Sequence, residues 1–228
     1  MTDARATILD RVRSALADVP AAEPHVWPGA DEPIDPPAAY HRTSDLSAGE
    51  LADRFAARAG EYQARIVRCG QEDSEIAAAV GRALAAEPGD GPLVVPPGLP
   101  AAWRPAGAVE DTGLAIGDLD RAAGAVTGCA IAIADTGTVV LDHGPAQGRR
   151  ALTLVPDLHV CVVREDDLVG SVPEAVARLA NAVRAGRPIT LISGPSATSD
   201  IELQRVEGVH GPRRLVIVLA AGARRRAT

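Results

Sequence analysis

The run from residue 64 to 95 most narrows the folds open to this chain. A short apolar run at 64–68 is followed by a helical pattern at 73–86 and a second apolar run at 93–95. Two strands separated by a helix cannot close as a tight hairpin, so the spacing predicts a β-α-β unit with parallel strands and a helix packed on the sheet. Apolar runs at 130–134, 138–142, 159–163, 189–192 and 215–219 continue the alternation, with helical patterns at 48–59 and 173–184 and a brief one at 116–120. The expected fold is α/β: a mostly parallel sheet flanked by helices, with one antiparallel hairpin. The hairpin turn is Asp135-Thr136-Gly137, where Asp opens a type I turn and Gly takes a left-handed position.

With 228 residues, 46% of them hydrophobic, the chain can bury one good-sized core. The opening MTDARATILDRVRSAL reads as an amphipathic helix capped by Thr2, with Ile8, Leu9, Val12 and Leu16 on one stripe. It carries both charge signs, unlike a secretory signal. Between Pro20 and Pro37 lie six prolines and few apolar residues, so this stretch is an extended arm and not core. The expected organisation is a helix plus proline-rich arm over 1–45 and a single α/β domain over 46–228.

Composition removes several functions. A net charge of −7 and 2% aromatic residues give neither a basic face for nucleic acid or anionic membrane nor platforms for base stacking. No apolar run approaches the roughly 18 residues a membrane span needs, so a cytoplasmic protein is expected. All 23 basic residues are arginine. Without lysine the chain can build neither a Walker A loop nor a Schiff base. Cys69, Cys129 and Cys161 are too widely spaced for a metal or iron–sulfur motif and read as buried thiols. No His, Asp and Glu group has metal-ligand spacing, and His143 and His159 read as structural.

Two loops carry candidate chemistry. Asp-Thr-Gly is the loop of aspartic proteases, but those need two such carboxylates sharing a proton, and this chain has one. A half-size subunit supplying the second by dimerisation would be a short all-β chain, unlike this one. Asp135 is then either a turn former bonding its own backbone or a ligand contact. The second loop, Ser193-Gly194-Pro195-Ser196-Ala197-Thr198-Ser199, follows a short strand and leads to Asp200, Glu202 and His210. Ligands of open α/β sheets bind outside the carboxyl ends of strands, and this loop is expected in that place. Asp200 and Glu202 are acid or base candidates, His210 a proton shuttle, and Ser193, Ser196 and Thr198 anion contacts. The same residues also suit ordinary turn and helix-cap chemistry.

Together the loops are more specific. Thr127-Gly128-Cys129-Ala130, running on through Asp135-Thr136-Gly137-Thr138, resembles one signature segment of the LUD-domain family. Ile192-Ser193-Gly194-Pro195-Ser196, with Thr198, Asp200, Ile201, Glu202 and then Gly208-Val209-His210-Gly211-Pro212, resembles the other. The family often carries Glu at the position of Asp135, one methylene longer. The resemblance implies a fold similar to the sugar-phosphate isomerase, glucosamine-phosphate deaminase and CoA-transferase group. It also implies a part in oxidising L-lactate to pyruvate with two iron–sulfur partner proteins. Thr127, Gly128, Thr136, Gly137, Thr138 and Gly194 complete the ligand-binding candidates, and Asp135 joins Asp200, Glu202 and His210 as a catalytic one. Lactate oxidation needs an electron acceptor. Lacking clustered cysteines and a dinucleotide fingerprint, this chain is expected to carry no cofactor, with the iron–sulfur clusters in its partners. The alternatives are an independent enzyme or binding protein for a small anionic metabolite (phosphosugar, CoA ester or folate) and a non-catalytic assembly module.

Overall fold

The structure, a computed structural model, describes residues 4–15, 17, 42–198, 206–207 and 210–222. The chain divides into two compact units, 1–40 and 41–228. In the first, helix α1 (Ala4–Ala15) buries no residue and carries an Asp10–Arg13 ion pair of 2.9 Å. The Thr2 cap, Leu16 and the proline-rich arm lie outside the described residues.

The second unit runs α2 (Ala48–Glu61), β1 (Arg65–Cys69), α3 (Asp73–Ala85), β2 (Leu93–Val95), β3 (Val109–Glu110), α4 (Ile116–Asp120), β4 (Gly124–Thr127), β5 (Ile131–Ile133) and β6 (Thr138–Leu141). It continues with β7 (Leu158–Arg164), β8 (Leu168–Val169), α5 (Val172–Arg184), β9 (Thr190–Ile192), β10 (Ala197–Thr198), β11 (Val206–Glu207) and β12 (Arg214–Ala220). Six strands form a parallel sheet in the order β1-β12-β7-β4-β2-β3. The β-α-β unit is present as β1-α3-β2, with its two strands separated in the sheet by β12, β7 and β4.

The central strands β7 and β12 are covered on both faces, which is why they read as unbroken apolar runs. On one face Val160, Val162, Val216 and Val218 pack against Ile76, Ala79, Val80 and Ala83 of α3. On the other, Cys161, Val163, Ile217 and Leu219 meet Ala132, Val139 and Leu141 of a second sheet and Ala52, Phe55 and Ala59 of α2. Phe55 is fully buried, a contribution of about 1.5–3 kcal/mol. The second sheet has the order β8-β5-β6-β9, and its far face is covered by Ala175 and Leu179 of α5. Helices α2 and α5 start on capping boxes, Ser47 with Glu50 and Ser171 with Glu174, and α5 has proline in its first turn.

The hairpin forms as expected: Ile131 faces Val140 and Ile133 faces Thr138. It belongs, however, to the separate second sheet, where β9 also lies, antiparallel to β6. Residues 189–192 therefore do not extend the parallel sheet.

Candidate functional site

Two loops brought together by β9 and β12 line an open pocket of about 220 Å³. One is Ser193 to Ser196, leaving β9; the other is His210 to Pro212, entering β12. They are stitched by Ser196 N–H donating to Pro212 O at 2.8 Å and His210 N–H donating to Ser196 Oγ at 3.0 Å. Arg150 and Thr153, from a 3₁₀ turn (Arg150–Thr153), close the wall, and Leu191 and Ile192 supply apolar surface.

The loop follows the carboxyl end of its own strand, as expected, but it does not lie at the carboxyl edge of the parallel sheet. Arg214, which opens β12, pairs with Leu158, which opens β7. The pocket therefore sits at the amino ends of these strands. The reason is that β9 belongs to the second sheet, so the direction of the main sheet does not govern where its loop emerges.

Arg150 is the residue that sequence reasoning missed. Its Nη1 donates to Thr153 O at 3.0 Å and its Nη2 to His210 O at 3.2 Å, tying the 3₁₀ turn to the second loop. Burial pushes its pKa down from the usual arginine value. No acidic side chain lines the pocket among the described residues. The guanidinium and the Ser196 hydroxyl give the pocket hydrogen-bond donors of the kind that suit an anion. Locally it is one of two consecutive arginines after a glycine, and nothing in that stretch singles it out.

Beneath the 3₁₀ turn, fully buried His159 has Nε2 2.8 Å from Thr127 Oγ1, and its Nδ1 has no hydrogen-bond partner among the described residues. Burial, aided by the positive charge of Arg150, lowers its pKa to about 4. It is therefore a neutral group of the interior. Thr127 is equally buried and lines no wall of the pocket. Gly128 packs near Trp103 and Ala146, with its N–H on Ala146 O at 2.8 Å.

The Asp135 carboxylate lies in a different place from the second loop. It pairs with Arg54 Nη1 of α2 at 2.7 Å, in a separate surface pocket of about 390 Å³ shared with Ser44, Glu50 and Ser171. Both side chains are nearly half exposed, so the pair is worth at most about 1 kcal/mol. The turn is held there by Gly137, at φ +60°, where a Cβ would stand 2.4 Å from Ala59 N and 2.6 Å from Arg58 C. The threonines connect the turn to the first pocket: Thr136 Oγ1 is 2.7 Å from Thr138 Oγ1, which is 2.8 Å from Ser193 Oγ. Gly194 passes so close to Tyr62 that a Cβ would meet its carbonyl oxygen at 2.5 Å.

Of the remaining candidates, Thr198 lies in β10 opposite Val206. Asp200 and Glu202 lie outside the described residues. The structure thus joins Ser193, Gly194, Ser196 and His210 in one pocket, links Thr136 and Thr138 to it indirectly, and sets Asp135, Thr127, Gly128 and Gly137 outside it.

A wider crevice of about 710 Å³ opens by the carboxyl ends of β2 and β3, lined by Pro97, Thr112, His143, Pro145, Arg149 and also Arg150. Arg149 holds buried Asp111 by two bonds of 2.8 and 3.0 Å. Burial alone would raise the Asp111 pKa, but Arg149 and the Leu114 and Gly113 amides outweigh it and hold the carboxyl below its usual range. His143 is fixed between Gly148 O at 2.8 Å and Thr190 Oγ1 at 2.9 Å. Among the described residues, no three His, Cys, Asp or Glu side chains converge as metal ligands, and no helix is long and apolar enough to cross a membrane.

Comparison with known proteins matches residues 113–220 to the LUD domain model. The chain is 46% identical over 185 residues to lactate utilization protein C of Deinococcus radiodurans, covering 79% of this chain and 84% of that one. It is 33% identical over 167 residues to lactate utilization protein C of Geobacillus kaustophilus, covering 64% and 69%. A crystal structure of a DUF162 family protein from Deinococcus radiodurans at 1.70 Å resolution superposes with a TM-score of 0.66 at 42% identity, covering 77% of this chain and 99% of that one.

Proposed function

Because the chain belongs to the LUD-domain family, we propose that it is a component of a cytoplasmic L-lactate oxidation system, working with two iron–sulfur partner proteins. The relatives' names support lactate utilization. The observation that carries the reading is the pocket of about 220 Å³ in which the second signature loop meets Arg150, with no acidic lining among the described residues. A small organic anion is what such a cavity accepts. Conversion of lactate to pyruvate removes two electrons and two protons, and the proposal assigns the electrons to clusters in the partners. This chain contributes the binding of substrate or product. The family's implied kinship with the sugar-phosphate isomerase and CoA-transferase group is part of the same reading.

The test is lactate-dependent dye reduction by the purified iron–sulfur partners, with and without this chain. Activity that requires the chain is expected, and partners that work equally well alone would refute the proposal. One observation favours a second reading, an independent metabolite-binding protein: the wide crevice shares Arg150 and is large enough for a phosphosugar, CoA ester or folate fragment.

A further inference from the structure

We propose that Arg150 anchors the carboxylate of a small monocarboxylic acid bound between the 193–196 and 210–212 loops. This rests on the reading above and names the ligand class of that pocket. A guanidinium does not give up its proton inside a protein, so a part-buried one facing a pocket favours an anion there. The bonds Arg150 makes among the described residues all go to neutral oxygens of Thr153 and His210. Those bonds fix the plane of the guanidinium and leave further N–H groups to donate. Ser196 Oγ accepts the His210 N–H, so its own proton remains to donate. Two donors of this kind on one pocket match the two oxygens of a carboxylate.

Size and charge narrow the class. At about 220 Å³ the pocket is smaller than the roughly 300–1,000 Å³ that drug-sized ligands fill, so an acid of few atoms fits. Leu191, Ile192, Pro195 and Pro212 offer apolar wall to a short alkyl group. Among the described residues one arginine lines the pocket, and a single cation neutralises a single carboxylate. A dicarboxylate or a phosphate dianion would leave a charge uncompensated in a partly desolvated site.

The experiment is calorimetric titration of the full chain with sodium L-lactate, pyruvate, succinate and inorganic phosphate. Lactate or pyruvate should bind, with succinate and phosphate at least about tenfold weaker. Arg150→Gln should weaken the monocarboxylate by about tenfold or more, the scale of a lost charge-assisted hydrogen bond. Arg150→Lys should restore part of it, and its retained charge guards against a folding defect in the first variant. The inference is overturned if Arg150→Gln binds like the wild type, if phosphate binds more tightly than either monocarboxylate, or if neither monocarboxylate binds at millimolar concentration. The dye assay separates the two proposals. Arg150-dependent binding in a protein that the partners do not need upholds this inference and refutes the lactate system. A required chain whose Arg150 variants bind and support activity unchanged does the reverse.

Discussion

Substituting Gly137 by alanine tests whether the Asp-Thr-Gly turn is a packing device. Two separate costs apply. The residue sits at φ +60°, a region that costs an L side chain about 1–2 kcal/mol. The new Cβ would also stand 2.4 to 2.9 Å from Ala59 N, Arg58 C and Ala59 Cα. These are backbone atoms of α2 and cannot rotate aside, so overpacking adds about 1–3 kcal/mol. The total is roughly 2–5 kcal/mol, or a fall in Tm of about 4–20 °C for a domain of this size. Gly186 supplies the control, with φ +69° and nothing within 4 Å of its would-be Cβ, so Gly186→Ala carries the conformational cost alone. Urea denaturation followed by circular dichroism measures both variants, and a further test is Gly137→Asn, which tolerates the left-handed region but keeps the Cβ. Gly137→Ala should lose at least about 1 kcal/mol more than Gly186→Ala, and Gly137→Asn should not recover the difference. Equal losses at the two glycines would refute the claim that close approach to α2 holds the turn.

Three other perturbations compare a buried ion pair, an exposed one and a buried histidine. Arg149→Gln leaves Asp111 buried without its cation, and should cost about 3 kcal/mol in chemical denaturation; Arg54→Gln, which breaks the exposed pair to Asp135, should cost under about 1 kcal/mol. His159 has a folded pKa of about 4, below the roughly 6.5 of an unfolded histidine. Its neutral form favours folding above pH 6.5, and that stability is lost as pH falls toward 4. Between pH 6.5 and 5 the loss should reach about 1.5 kcal/mol, and a His159→Gln variant should show a flatter stability profile over that window.

How much of this was legible depended on whether a residue's partners were local. The runs at 159–163 and 215–219 announced β7 and β12 because burial on both faces leaves no polar interruption. The strand β4 lies between β7 and β2 yet reads Gly-Ala-Val-Thr, where only the last two residues favour a strand and four residues are too few to set a pattern. The two-residue strands β3 and β8 are too short to show a period. Residues 130–142 specified a hairpin through their turn, but membership of a second sheet depends on pairing with β8 and β9, which no local pattern encodes. The site divides in the same way. Ser193, Ser196 and His210 stood out as polar groups in glycine- and proline-rich loops. Arg150 did not, because its bond to His210 spans 60 residues.

That division also explains what the opening turn does. The carboxylate of Asp135 faces Arg54 outside the pocket, while Thr136 and Thr138 reach inward to Ser193. In each of these two bonds either hydroxyl can be the donor, so the chain ties Ser193 to the turn whichever way the protons point. Ser193 is thereby held from behind by a hairpin that is itself seated on α2 through Gly137. The second loop is held from its other side by Arg150 on His210 O and by His210 N–H on Ser196 Oγ. A polar loop between two sheets would otherwise be free to rearrange, at the cost of affinity for whatever it binds. The two signature segments therefore divide one task. The first fixes the position of the second, and the second, with Arg150, lines the pocket proposed to take the ligand.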